Sequence, residues 1–227
     1  MAKHKSNKKK QQGAPQLTMN NYVKTKAAKL PWGKCYITET WKEVGMANVL
    51  MVRQMGGSKL LVGFYLIDIF CLGVKDTYCK WRLEEDELQE WLTYLQEHDQ
   101  AMVEKSPDLL QNIIYGAVEY AESIGISPHK DFSITEYILD PADEIPFIEI
   151  EFGKEGKPFY YAGPHDNAQL IIEKLTKKLG PDNFHAVIPI GNIMDDDDDY
   201  YYDDDDNDDD NDIEDIDNID VTNQPKD

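Results

Sequence analysis

Residues 60–76, LLVGFYLIDIFCLGVKD, set the narrowest limit on what this chain can fold into. From Leu60 to Phe70, apolar, β-branched and aromatic residues are interrupted only by Gly63 and Asp68, so both alternating faces are apolar. A strand of that kind has to be covered on both sides. Alternation puts Leu60, Val62, Phe64, Leu66 and Phe70 on one face together with Asp68, and Leu61, Tyr65, Ile67 and Ile69 on the other. Asp68 is therefore expected inside the protein. A carboxylate there must accept hydrogen bonds, pair with a cation, bind a metal or take up a proton. Residues 71–76 read as a turn that carries Asp76 and Lys75 to the end of the strand.

The flanking sequence supplies partners for this strand. Residues 34–40 and 47–55 alternate as strands around a connection at 41–45, and Gly56-Gly57-Ser58 reads as a hairpin turn into the central strand. Residues 77–82 add a short extended segment. Residues 84–97 open with four acids, which suit the positive end of a helix dipole, and carry Leu88, Trp91, Leu92 and Leu95 at helical spacing. A second helix is framed by Ser106 as N-cap, Pro107 at its first position and Gly125 at its end, with Leu109, Leu110, Ile113, Ile114, Ala117, Val118, Tyr120, Ala121 and Ile124 on its apolar half. Residues 133–139 alternate weakly, and 146–152 with 158–162 read as a hairpin around 153–157. Residues 167–179 form a third helix closed by Gly180 and Pro181, and 184–190 a last strand. This order predicts an α+β domain over residues 30–192, a mainly antiparallel sheet covered by about three helices.

Charge is segregated along the chain, so the net value of −21 describes no part of it. Residues 1–30 carry eight lysines and no acids, residues 31–192 carry 14 basic against 26 acidic residues, and residues 193–227 carry one lysine against 18 acids. The arm at 1–29 and the tail at 193–227 hold too few apolar residues to offset the entropy of ordering them, and both are expected to be disordered. The arm offers electrostatic contact to a nucleic-acid backbone, without interleaved aromatic residues to stack on bases. The tail suits solubilisation, contact with a basic protein partner, or imitation of a nucleic acid. Three cysteines without a CxxC pair predict a reduced, cytoplasmic protein, and no apolar window predicts a membrane span.

No Walker loop, dinucleotide fingerprint, HExxH or nucleophile elbow is present. The chemistry that remains is scattered acids and histidines. One reading takes Asp68 and Asp76 as ligands of a divalent cation, joined by Asp131 or Asp166, with His129 or His165 moving a proton. The catalytic set would be Asp68, Asp76 and His129, and the reaction metal-dependent hydrolysis of phosphodiesters or nucleotides. The other reading gives each residue a structural task. Asp68 holds a buried turn through backbone N–H groups or pairs with Lys75 or Arg53, Asp76 is solvated, His129 fixes its loop, and Asp166 caps the last helix.

The segments ANVL at 47–50, GFYLIDIFCLGVKDTY at 63–78, IIYGAVEYAESIGISPHKDF at 113–132 and IEIEFGKEGKPFYYAGPHDN at 148–167 resemble a group of uncharacterised bacterial proteins. The resemblance spans about residues 30–190 and implies one shared compact domain. It carries no activity and no catalytic residue. The leading expectation is a cytoplasmic binding or regulatory module whose charged tails contact a protein partner. A metal-dependent hydrolase and a nucleic-acid mimic acting through the acidic tail are the alternatives.

Overall fold

The computed structural model describes residues 18–98 and 100–189. The chain divides into two units, Met1–Ile193 and Met194–Asp227, and every described residue lies in the first. The expected tail at 193–227 and the first 17 residues of the arm lie outside the described residues.

Five strands form one antiparallel sheet in the order β4-β3-β2-β1-β5. They are β1 (Cys35–Thr38), β2 (Met46–Gln54), β3 (Lys59–Asp68), β4 (Gly73–Glu84) and β5 (Met102–Lys105). The α+β expectation holds, and β3 lies between β2 and β4 with both of its faces buried. The Gly56-Gly57-Ser58 turn joins β2 to β3 as expected, with Met55 N–H donating to Lys59 O at 2.7 Å. Three consecutive positive φ values explain why two of those residues are glycine.

Helix α1 (Met19–Lys26), α4 (Pro107–Ser123) and α5 (Phe132–Thr135) cover one face of the sheet, and α3 (Glu85–Glu97) covers the other. The ends of α4 are set by local chemistry. Ser106 Oγ accepts from Leu109 N–H, Pro107 opens the helix, and Gly125 adopts φ +89°. A four-residue helix, α2 (Trp41–Val44), fills the expected connection before β2 and ends at Gly45, φ +79°. The remaining elements are β6 (Phe159–Tyr161), α6 (Ala168–Leu179) and β7 (His185–Val187). They add a smaller apolar cluster, with Cys71, Leu72, Ala121, Ile124, Tyr160, Ala162 and Leu175 buried together.

Four local expectations are corrected. Residues 18–29, expected to be unordered, are ordered: Thr18 caps α1, and Val23 and Ala27 are fully buried in the main core. Two apolar residues on one helical face were enough, because α5 and the 3₁₀ turn at Glu136–Ile138 pack against it. The turn after β3 occupies residues 69–72 rather than 71–76, and β4 begins at Gly73. Residues 133–139 are helical, through α5 and a 3₁₀ turn at Glu136–Ile138, so that Thr135 O can accept from Tyr65 Oη at 2.8 Å. The hairpin of 146–152 with 158–162 does not form. Its turn is real, with Lys154 bridging Lys157, but β6 pairs in parallel with β7. Residues 146–152 instead lie along α4, where Asn112 bonds Pro146 O and Ile148 N–H and Phe152 stacks on Tyr120.

Gly73 fixes how closely α4 meets the sheet. Its φ is +68°, and a Cβ there would stand 2.8 Å from both Ala117 O and Ala121 Cβ. Gly73→Ala is expected to lower stability by about 2–4 kcal/mol, from the left-handed backbone and the overpacked contact together. Urea unfolding checks this, and a loss below about 1 kcal/mol would show that α4 can move away freely.

Candidate binding groove

Each carboxylate singled out in the sequence has a definite place. Asp68 ends β3 and faces the turn, where Oδ1 accepts from Phe70 N–H at 2.8 Å and from Cys71 N–H at 3.0 Å. Burial outweighs these bonds and pushes its carboxyl up to about 6. Asp166 Oδ2 takes Lys75 Nζ and Gly163 N–H, each at 2.9 Å, in a largely buried pair that ties the loop before α6 to β4. The cap of α6 is Asn167, whose Oδ1 accepts from Leu170 N–H, and not Asp166. Arg53, the other suggested partner of Asp68, pairs with Asp140.

Asp76, His129 and Asp131 do come together, at the surface. His129 Nδ1 lies 3.9 Å from Asp76 Oδ1 and 3.8 Å from Asp131 Oδ2, too far for hydrogen bonds. It accepts instead from Asp131 N–H at 3.4 Å, which fixes the ring within its own loop, while the His129 backbone N–H donates to Val74 O and secures the loop against β4. The two carboxylates are more than half exposed, 59% and 54%. His165 is exposed. Asp68, Asp76, Asp131 and Asp166 are thus spread over three environments, and among the described residues no three His, Cys, Asp or Glu side chains form a metal-ligand set.

The thiols are held in their neutral form. Burial pushes Cys35 and Cys79 up to about 11 and Cys71 up to about 12, so each stays protonated at neutral pH.

One open concavity among several lies between α3 and the face of β2, β3 and β4. It encloses about 340 Å³ and is walled by Phe64, Tyr78, Trp91 and Tyr94, with Asn48 and Asp76 among its polar lining. Its origin is local. The capping box between Glu84 and Glu87 starts α3 directly after β4, with no loop between them. The helix then buries only Leu88 completely, leaving Trp91, Leu92 and Leu95 half-buried above the sheet. Phe64 stacks on Tyr78 with ring centroids 4.6 Å apart, and Trp91 meets Phe64 edge-on at 4.1 Å.

The aromatic rings remain accessible, Tyr78 being 42% and Tyr94 57% exposed. Partial burial, together with the Asp76 carboxylate, raises the Tyr78 phenol above its ordinary pKa, so it stays a neutral donor. Lys80 Nζ already rests 4.9 Å from the Trp91 ring centroid. This is the contact such a wall offers an ammonium group.

No protein-family model, curated protein or solved structure matches the chain.

Helical spacing marks Trp91 as one more core residue of an amphipathic helix, so that spacing does not announce the groove. A signal was present in β4, where Asp76, Tyr78 and Lys80 alternate as exposed residues on one face while Thr77 on the other is buried. A strand with an aromatic residue on its polar face presents a ring that its own core does not need. Among the described residues, no helix is long and apolar enough to cross a membrane.

Proposed function

We propose that this domain is a binding module whose groove takes a basic segment of a partner protein, anchored by a cationic or aromatic side chain. The observation that carries this reading is an accessible aromatic wall beside an acidic helix. Tyr78, Trp91 and Tyr94 line the groove with Asp76, while Asp86, Glu90 and Glu97 are exposed on α3. Aromatic rings supply contact area at a small cost in side-chain freedom, and their faces attract ammonium and guanidinium groups. The surrounding acids steer a basic partner and disfavour an acidic one. The described lining is dominated by aromatic and apolar side chains, which supports recognition as its use.

The test uses a short lysine- and arginine-rich peptide with one central tryptophan, titrated calorimetrically into the full chain. A glutamate-rich peptide with the same anchor is the control. Saturable binding of the basic peptide alone is expected. Tyr78→Ala and Tyr94→Ala should each weaken it about tenfold, roughly 1.4 kcal/mol, with circular dichroism unchanged. Equal binding of both peptides, or affinities untouched by the two substitutions, would reject the groove as the site.

A further inference from the structure

We propose that the lysine-rich arm of this same chain, residues 1–17, docks on the groove and competes there with any outside ligand. The inference rests on the groove reading above and names the regulation of that site.

The path of the chain brings the arm to this place. Thr18 caps α1, and Met19 lines one open cleft with Trp81, Leu83 and Glu87, so the described chain begins beside the cleft that Glu87, in the first turn of α3, also lines. The 17 residues hold five lysines, Lys3, Lys5, Lys8, Lys9 and Lys10, and no acid. The 13 residues of α3 make a helix roughly 20 Å long. An extended chain covers at most about 3.3–3.6 Å per residue, so Lys8, Lys9 and Lys10 reach any point along that helix.

Lys80 and Arg82 share the arm's entry with Glu87, and from there along α3 the charges are acidic. Glu87 stands where the arm begins, Asp86, Glu90 and Glu97 follow on exposed positions of α3, and Asp76 lies in the groove itself. Tyr94 is shared between the acidic outer surface of α3 and the aromatic wall, so a lysine led along the acids arrives at rings that accept an ammonium. Each contact is weak alone. The tether compensates, because a short linker holds its end at an effective concentration in the millimolar range.

The test compares the full chain with a full-length variant in which the five lysines are changed together, K3Q/K5Q/K8Q/K9Q/K10Q. The probe is the basic tryptophan-anchored peptide described above. Against a local arm affinity of about 0.1 mM, removing the arm's charge should tighten peptide binding roughly tenfold at low salt. Salt near 0.5 M should abolish that difference, since exposed charges are then screened.

Carbodiimide coupling of the unmodified chain, read by mass spectrometry, supplies the direct observation. Links from Lys8, Lys9 or Lys10 to Glu90, Glu97 or Asp76 are expected, and Tyr78→Ala with Tyr94→Ala should diminish them. Links that run instead to residues 195–220, or between isotopically distinct copies, would overturn the proposal. Equal peptide affinity for both chains would leave the groove reading standing and remove this inference. Failure of the peptide to bind either chain would remove both.

Discussion

Arg53→Ala is expected to lower the stability of the domain by about 3–5 kcal/mol, the range for removing one partner of a buried charge pair. Arg53 has only 2% of its side chain exposed, and each of its three guanidinium nitrogens donates a hydrogen bond. Nε donates to Ile138 O at 2.9 Å, one terminal nitrogen donates to Leu30 O at 2.8 Å, and the other meets Asp140 Oδ1 at 2.5 Å. The Trp32 ring closes one face, with its centroid 3.3 Å from the guanidinium carbon. Asp140 is held in turn by Trp32 Nε1 at 3.0 Å, and Gln111 Oε1 accepts from Asp140 N–H at 2.6 Å.

This network ties β2, the segment before β1, the middle of α4 and the turn after α5 to one point. Alanine would strand Asp140 and two backbone carbonyls without their donor, and each unmade bond in a buried site carries its full desolvation penalty. Lysine would not restore them, because a single ammonium cannot span the fork that the guanidinium fills. Arg53→Lys should therefore lose most of what Arg53→Ala loses. Urea unfolding of the two variants reads both values, and a loss below about 1 kcal/mol in Arg53→Ala would show that the network is dispensable.

The second large effect is a pH dependence centred on Asp68. Its carboxyl is raised from an ordinary 3.8 to about 6, chiefly by burial, while the N–H groups of the turn and the Lys75 charge pull the other way. Between those two values the folded chain holds a proton that the unfolded chain has released. The stabilisation from this proton is complete below about pH 4 and disappears as pH rises through about 6. A shift of that size corresponds to about 3 kcal/mol between the limits.

Asp68→Asn removes the titration but keeps an oxygen to accept from Phe70 and Cys71 N–H. The stability of the unmodified chain relative to Asp68→Asn should therefore fall by about 3 kcal/mol between pH 4 and pH 7, other carboxylates cancelling in the difference. Urea midpoints measured across that range decide it. Parallel curves for the two proteins would mean that Asp68 is ionised in the folded state throughout.

Asp68 also shows how far a sequence argument reaches. Alternation along residues 60–70 was sufficient to place it inside, because period-2 geometry is local to the strand. Which of the fates open to a buried carboxylate it meets depends on the turn at 69–72, and the sequence placed that turn two residues late. The same division separates the α3 helix from its groove. Helical spacing and acidic capping located residues 84–97 within one residue of Glu85–Glu97, but how deeply Trp91 enters the sheet depends on Phe64 and Tyr78 beneath it.

What the sequence determined alone is what neighbouring residues decide among themselves. That includes the β2–β3 hairpin at its glycine turn, the Ser106–Pro107 start of α4, the two-sided burial of β3 and the inward position of Asp68. What only the tertiary structure decided is pairing at a distance. Residues 146–152 and 158–162 had the pattern of a hairpin, and Phe159–Tyr161 found His185–Val187 instead, because an extended segment's hydrogen bonds and apolar face are satisfied equally by any strand that comes alongside. Arg53 and Asp140, 87 residues apart, carry no mark in the sequence that they belong together. Their meeting follows from where the sheet and α4 leave a buried gap. The aromatic groove is likewise a space between elements, and a space has no sequence pattern of its own.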